Sequence, residues 1–299
     1  MESLAVETDE RDIERMYAEA RRYPLLTAEQ EREIDGKKWV AVRGIQALMA
    51  QDPTFRAYLH AWSGNSALTP IDIAFFTNRD HHFILRREMA EYMAKGKRAA
   101  DMEALHGALH KRRSERFVAE RLGALELPAS LTVGLAVVVL RRAGESYADS
   151  VADALQQWSG YWSTARTQLD SSVDLAPEVR GALHAHLQHY SDARDTLTMH
   201  NLRLVYSIAG RYRGKGVNYL DLVQEGTLGL IRAAEKYDYR KGFRFSTYCF
   251  NWITQAIRRH VGDSGGLIRY PTHVQEQVSK LYRLRLTEQA RTGEEPGDA

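Results

Sequence analysis

The segment Gly242–Arg259, GFRFSTYCFNWITQAIRR, sets Phe243, Phe245, Tyr248, Phe250 and Trp252 among Arg240, Lys241, Arg244, Arg258 and Arg259. Read at helical spacing from about Ser246, Phe250, Ile253, Ile257 and Val261 form one apolar stripe, and Tyr248, Trp252, Gln255 and Arg259 fall on another face. The spacing predicts a helix that packs on one side and presents rings and cations on the other. Such a face suits single-stranded nucleic acid, where a base stacked on a ring contributes roughly 1–3 kcal/mol and cations hold the phosphates. Taken alone, the same residues also describe aromatics filling a helical core with solvated arginines around it.

Helical signals extend outward from this segment. Proline is scarce at seven residues, apolar residues recur three and four apart, as in Leu202, Val205, Ile208 and Ala209, and strand-like alternation is rare, so the class is all-α. Thr27 followed by AEQEREI predicts a helix start, with Gln30 completing a capping box. Asn218 is placed to cap the helix of YLDLVQEG, with Asp221 in its first turn where the dipole favours an acid. Gly214 and Gly216 flank Lys215 in a predicted turn. In the middle of the chain, helices are predicted over 83–95, 101–122, 146–169 and 177–190, with breaks near Gly96, Pro128, Gly144 and the SSVDLAP stretch ending at Pro177. The apolar run Leu131–Leu140 is half a membrane span and reads as a buried helix, less readily as a strand. His106 and His110, and His184, His186 and His189, are read as surface histidines, because a metal site needs more converging ligands. The run Lys111, Arg112, Arg113 reads as a solvated helix face. The tail Thr292–Ala299 is polar and carries Gly and Pro, the composition of a flexible end.

The 299 residues suffice for a sizeable core, and 44% hydrophobic with 27% charged residues describes a globular chain. The formal net charge is only +2, yet Asn201–His260 holds eleven cations against four carboxylates, a local +7. That asymmetry is a footprint for nucleic acid, although a solvated face or an anionic partner site carries the same charge. The single cysteine, Cys249, cannot form an intramolecular disulfide and reads as a small packed residue in a reducing, cytoplasmic setting. The acidic N-terminus MESLAVETDERDIER has no apolar run, so no secretory signal and no membrane partner are expected.

The strings NLRLVYSIAGRYRGKGVNYLDLVQEGTLGLIRAAEKYDYRKG, GFRFSTYCFNWITQAIRR and LIRYPTHVQE follow one another in the chain. Together, from about Met199 to Leu284, they resemble the central region of the bacterial sigma-70 family. Asp12–Glu33, DIERMYAEARRYPLLTAEQERE, is more loosely similar to the helix that opens the conserved part of these proteins. The resemblance implies an all-α fold, a helical sigma domain 2 carrying an inserted helical non-conserved region. It divides the chain into an N-terminal part like region 1.2 (1–54), the insertion (55–190), region 2 (191–262), and the start of region 3 with a polar tail (263–299). No phosphate-binding Gly-rich loop, zinc motif or activated nucleophile is visible in the sequence, so a non-enzymatic protein without metal or cofactor is expected.

The roles implied are residue by residue. Leu220, Asp221, Gln224, Glu225, Thr227 and Ile231 would dock on a coiled coil of the largest RNA polymerase subunit. Asp221, Gln224, Thr227, Leu228 and Ile231 share one helical face, although polar groups there also simply solubilise a helix. Tyr248 and Trp252 would hold the first flipped adenine of the promoter minus-ten non-template strand, with Phe243, Phe245 and Thr247 around it. Gln255 and Arg258 would face the last upstream base pair, and Lys241, Arg244 and Arg259 would contact phosphate. Asn201 and Leu25 would contribute to a second base pocket, and His273 with Glu276 would meet an extended minus-ten element.

Two departures from the housekeeping pattern stand out. Asn251 replaces the first of paired tryptophans, which predicts weaker melting. Arg258 stands where threonine is usual, and arginine can bind guanine bidentately. Only 23 residues follow Glu276, so the expectation is a stretch without the minus-thirty-five reader, which a separate protein, an activator or a longer natural chain would supply. The resemblance thus implies an initiator that binds polymerase core and melts the minus-ten element. The alternative is a decoy that occupies core without productive initiation.

Overall fold

A computed structural model describes residues 14–66, 77, 81, 84–90, 97–159, 173–264 and 272–292. Its elements are helical: α1 (Ala28–Gln51), α2 (Pro53–Ser66), a π-helical turn (Arg86–Ala90), α3 (Lys97–His110), α4 (Glu115–Ala124), α5 (Ala129–Arg142) and α6 (Ser150–Ser159), then α7 (Pro177–Met199), α8 (Leu202–Gly210), α9 (Tyr219–Lys236), a 3-10 turn (Tyr239–Lys241), α10 (Phe245–Ser264) and α11 (Thr272–Thr292). Among the described residues there is no strand, and the chain is all-α. It divides into two compact units, one of Met1–Glu31 with Thr196–Ala299 and one of Arg32–Asp195.

The second unit is built around α5. Every residue from Ala129 to Leu140 is buried, so the apolar run is a core helix, apolar all round because it is surrounded. α6 packs on it where Gly134 leaves room: a Cβ there would stand 2.6 Å from Val151 Cγ1. α2 contacts both α3 and α5, and α4 follows on α3. The helix expected over 101–122 is instead two. At the break Arg112 takes a left-handed φ of +48°, and the Ser114 hydroxyl caps α4 by accepting the Phe117 N–H at 3.4 Å. The basic run 111–113 is therefore a turn and not a helix face. His106 and His110 are not isolated surface residues, since both stack on His60 with ring centroids 4.4 and 5.7 Å away.

Of the other expected helices, 83–95 is described only over 84–90. The one expected from Ser146 begins at Ser150, where Asp149 accepts the Ala152 N–H at 2.7 Å. The one from Pro177 continues to Met199. The Gly96 break, residues 160–172 and the tail from 293 onward lie outside the described residues, whereas Gly144 marks its break with φ +88°.

The first unit is held by α8, α9 and α10. Gly226 lies against Val205 and Ile257, and Gly229 against Trp252, Ile253 and Ala256, so α9 and α10 run antiparallel with backbones in close approach. A Cβ on Gly229 would meet the Trp252 carbonyl at 2.8 Å. Both glycines of QEGTLGL are thus packing residues. The core stripe of α10 is Phe245, Cys249, Ile253 and Ile257, four apart. Phe250, expected on that stripe, is 37% exposed with Arg211 over its ring at 5.5 Å.

Local capping follows the sequence. Thr27 and Gln30 exchange their capping-box hydrogen bonds at 2.9 and 3.2 Å. Asn218 accepts the Leu220 N–H at 2.7 Å, and Gly214 and Gly216 turn the chain with φ near +77° and +78°. Residues 14–20 are helical, with Tyr17 against Tyr206 at 4.8 Å between centroids and its hydroxyl 3.0 Å from that of Tyr219.

Candidate functional site

Packing of α9 against α8 and α10 buries Leu222, Val223, Gly226, Gly229, Leu230, Ala233 and Ala234. The opposite face is left outward. Asp221 and Gln224 are exposed, Leu228 is 52% exposed, and Leu220, Glu225, Thr227 and Ile231 are partly exposed. Thr227 donates its hydroxyl to the Val223 carbonyl at 2.8 Å, while Glu225 lies 3.9 Å from His260 of α10. The six residues expected to dock on a partner therefore share one mixed polar and apolar helix face.

The aromatic residues form a connected row. Phe245 meets Tyr237 edge-on at 5.1 Å, Tyr237 meets Tyr248 at 5.8 Å, and Tyr248 meets Trp252 at 6.2 Å. Lys236 carries its ammonium 5.6 Å from the Trp252 ring, a cation–π geometry. Phe245 is fully buried and lies under this row, not on it, because it opens the core stripe of α10. Tyr237 is buried as well, and its hydroxyl donates to the Phe243 carbonyl at 2.6 Å. That bond fixes the loop whose Phe243 is 67% exposed. Thr247, Asn251 and Gln255 are exposed, with Tyr248 and Trp252 partly exposed beside them.

The cations divide into two sets. Arg240 is paired with Asp238 at 2.7 Å. Burial would raise the Asp238 pKa, but hydrogen bonds from the Arg240 side chain and backbone and the charges of Arg240 and Lys241 outweigh it, holding the carboxyl below its usual range. Arg244 is committed to Glu31, with its Nε at 2.9 Å and an Nη2 at 3.1 Å, and it also donates to the Leu26 carbonyl at 3.1 Å. Its expected phosphate contact competes with that carboxylate, which raises the guanidinium pKa further. By contrast Lys241, Arg258 and Arg259 are exposed, and among the described residues none of them pairs with a carboxylate. Arg258 donates to the Tyr212 hydroxyl at 2.9 Å. Lys215 stands 4.8 Å from the Tyr212 ring, which extends the cationic surface to the 211–216 loop.

Sequence reasoning did not single out Glu31. Its carboxylate is 3% exposed and accepts the Phe245 N–H at 3.0 Å, so it caps the aromatic helix from 214 positions away. No local signal announces such a cap. Its neighbours 23–25 lie beside the start of α8: the His200 Nδ1–H donates to the Pro24 carbonyl at 2.6 Å, and Tyr23 sits edge-on to His200. Leu25 is 67% exposed, while Asn201 is buried with its amide donating to the Leu197 carbonyl at 2.8 Å. His273 and Glu276 have their backbones in α11, and their side chains lie outside the described residues. Cys249 is fully buried, and burial pushes its thiol up to about 12, as suits a packing residue.

Residues 197–265 match the family described as Sigma-70 region 2. The chain is 45% identical over 127 residues to the RNA polymerase sigma factor SigA of Clostridium acetobutylicum, a match covering 42% of this chain and 32% of that protein. It is 44% identical over 124 residues to the RNA polymerase principal sigma factor HrdD of Streptomyces coelicolor, covering 42% and 37%. A SigA of a Bacillus species is 44% identical over 127 residues, covering 42% and 32%. The resemblance to the sigma-70 family therefore holds across region 2, and the chain spans about a third of the length of the curated relatives it matches. Among the described residues no helix is long and apolar enough to cross a membrane.

Proposed function

We propose, from the premise of a sigma-70 region 2 at residues 197–265, that this protein is a sigma factor that binds RNA polymerase core and directs it to the promoter minus-ten element. The observation that carries the reading is that the matched residues include the connected rings Tyr237, Tyr248 and Trp252 together with the exposed cations Lys241, Arg258 and Arg259, which pair with no carboxylate among the described residues. Opening a duplex costs a few kcal/mol per base. Stacking one base on Tyr248 and Trp252 offsets roughly 1–3 kcal/mol of that, with phosphates held by the cations. Gln255 and Arg258, on the same helix, would meet the upstream duplex edge. The outward face of α9, through Asp221, Gln224, Leu228 and Ile231, would dock on a helical surface of the largest polymerase subunit. The setting is cytoplasmic, and the chemistry is binding, not catalysis.

Transcription with purified core on a minus-ten promoter tests the reading: promoter-dependent transcripts support it, and their absence with tight core binding overturns it. Trp252→Ala should weaken binding of a minus-ten non-template oligonucleotide by about 5- to 150-fold, the equivalent of the stacking energy above. Asp221→Ala and Gln224→Ala should weaken core binding with the fold intact. Exposed Asn251 beside Trp252 favours one second reading, a decoy with half the aromatic wedge that occupies core. It predicts suppression of transcription by other sigma factors without transcripts of its own.

A further inference from the structure

The unit Arg32–Asp195 contains a cleft of about 1100 Å³ that the sigma reading does not use. Its walls come from the end of α1, the first turns of α2, the end of α3 and the turn into α4. Four guanidinium groups line it, Arg56, Arg112, Arg113 and Arg116, with the imidazoles of His60 and His110. One lining carboxylate, Glu115, opposes them.

Several features indicate that the positive charge is concentrated there for a ligand. Arg116 is paired with Glu120 at 3.3 Å, but among the described residues no carboxylate pairs with Arg56, Arg112 or Arg113. Arg56 spans the cleft, donating to the carbonyls of Ala50 at 3.2 Å and Arg113 at 2.5 Å, which fixes the turn rigidly. Arg112 holds the left-handed φ of +48°, a conformation disfavoured for a long side chain and maintained only when surroundings impose it. The N-terminus of α4 opens on the same space, and its dipole adds positive potential. His60 stacks with His106 and His110 and buries its Nε2 without a hydrogen-bond partner among the described residues. Among the described residues no group of three or more His, Cys, Asp and Glu is disposed to hold a metal ion.

We propose that this cleft binds a small, multiply charged phosphorylated ligand. Arginine is the residue suited to bidentate phosphate recognition, and the volume of about 1100 Å³ lies just above the range of about 300–1,000 Å³ usual for ligand pockets, room enough for such a molecule. The cations line one concavity, and a DNA backbone would instead call for a linear track.

The test is calorimetric titration of the full chain with inorganic tripolyphosphate, with a short duplex DNA as a second probe. Saturable one-site tripolyphosphate binding is expected, weakened at least tenfold in Arg112→Gly with Arg113→Gln. Glycine accepts φ +48° without strain, so this variant should keep its melting temperature. Arg121→Gln, on α4 with its guanidinium over Phe117 and outside the cleft lining, should stay within twofold. Absence of saturable binding overturns the proposal, as does equal binding by parent and cleft variant. Duplex DNA binding through Arg112 and Arg113 with no response to tripolyphosphate overturns it in favour of a nucleic-acid surface. Because the cleft lies outside residues 197–265, none of these outcomes bears on promoter recognition.

Discussion

Replacing Glu31 with alanine should loosen the start of the aromatic helix, and the size of the effect follows from its three contacts. The Phe245 N–H is buried and has the Glu31 carboxylate as its acceptor at 3.0 Å. Leaving a buried donor unsatisfied costs about 1–3 kcal/mol. The Arg244 pair adds little, because that side chain is 50% exposed and solvent replaces the carboxylate, a contribution of ~0–1 kcal/mol. The expected loss is roughly 1–4 kcal/mol, which is about a 5- to 700-fold fall in protection at tenfold per 1.4 kcal/mol. Native-state hydrogen exchange reads it directly at the Phe245 amide. Arg244→Ala, which leaves the carboxylate on the amide, should lower protection by less than about fivefold. Glu31→Gln, which keeps an acceptor without charge, should fall between the two. Protection of Phe245 within threefold of the parent in Glu31→Ala, or equal losses in Glu31→Ala and Arg244→Ala, would refute the capping argument.

Gly229→Ala should destabilise by about 1–3 kcal/mol through overpacking, since its Cβ would meet the Trp252 carbonyl at 2.8 Å and Ala256 Cβ at 2.9 Å. Gly210→Ala, with nothing within 4 Å, serves as the control, and thermal unfolding by circular dichroism compares them. Cys249 should react with a thiol-specific reagent at pH 8 at less than ~10% of its rate in urea, because only the exposed thiolate reacts; equal rates would contradict its burial. Acidification should weaken the Arg32–Asp195 unit. Burial, with the charges of His106 and His110, lowers the His60 pKa, and burial with His189 lowers that of His186. Both folded pKa values lie below the usual 6.5, so the unfolded chain binds more protons in that window. Stability from these groups is present above pH 6.5 and is lost as pH falls through the folded values. Urea midpoints measured across that range check it, and a midpoint that rises on acidification would refute the sign.

The parts of the site that sequence made legible are those governed by neighbours in the chain. The Thr27–Gln30 box, the Asn218 cap and the turn at Gly214 and Gly216 each depend on two to four consecutive residues. The outward face of α9 was legible for the same reason, because a helix repeats every 3.6 residues whatever packs against it. The stripe of α10 was read one residue out of place. Phe250 and Cys249 lie three and four residues before Ile253, and either spacing fits a helix. Arg211, brought in by α8, covers Phe250 at the surface, and Cys249 takes the inward position.

What the sequence alone determined, then, was the helical class, the caps and turns, and the string of rings and cations that carries the resemblance. Tertiary structure alone decided which of those rings is core, Phe245, and which stay reachable, Phe243, Tyr248 and Trp252. It also decided that Arg244 is already paired, with Glu31 from 213 positions away, and that the turn at 111–113 joins a cleft with Arg56 and His60. The physical reason is range: helix propensity and capping act over one turn of chain. Burial and charge compensation are instead set by residues such as Glu31 and Phe245, which only the fold brings within 3 Å.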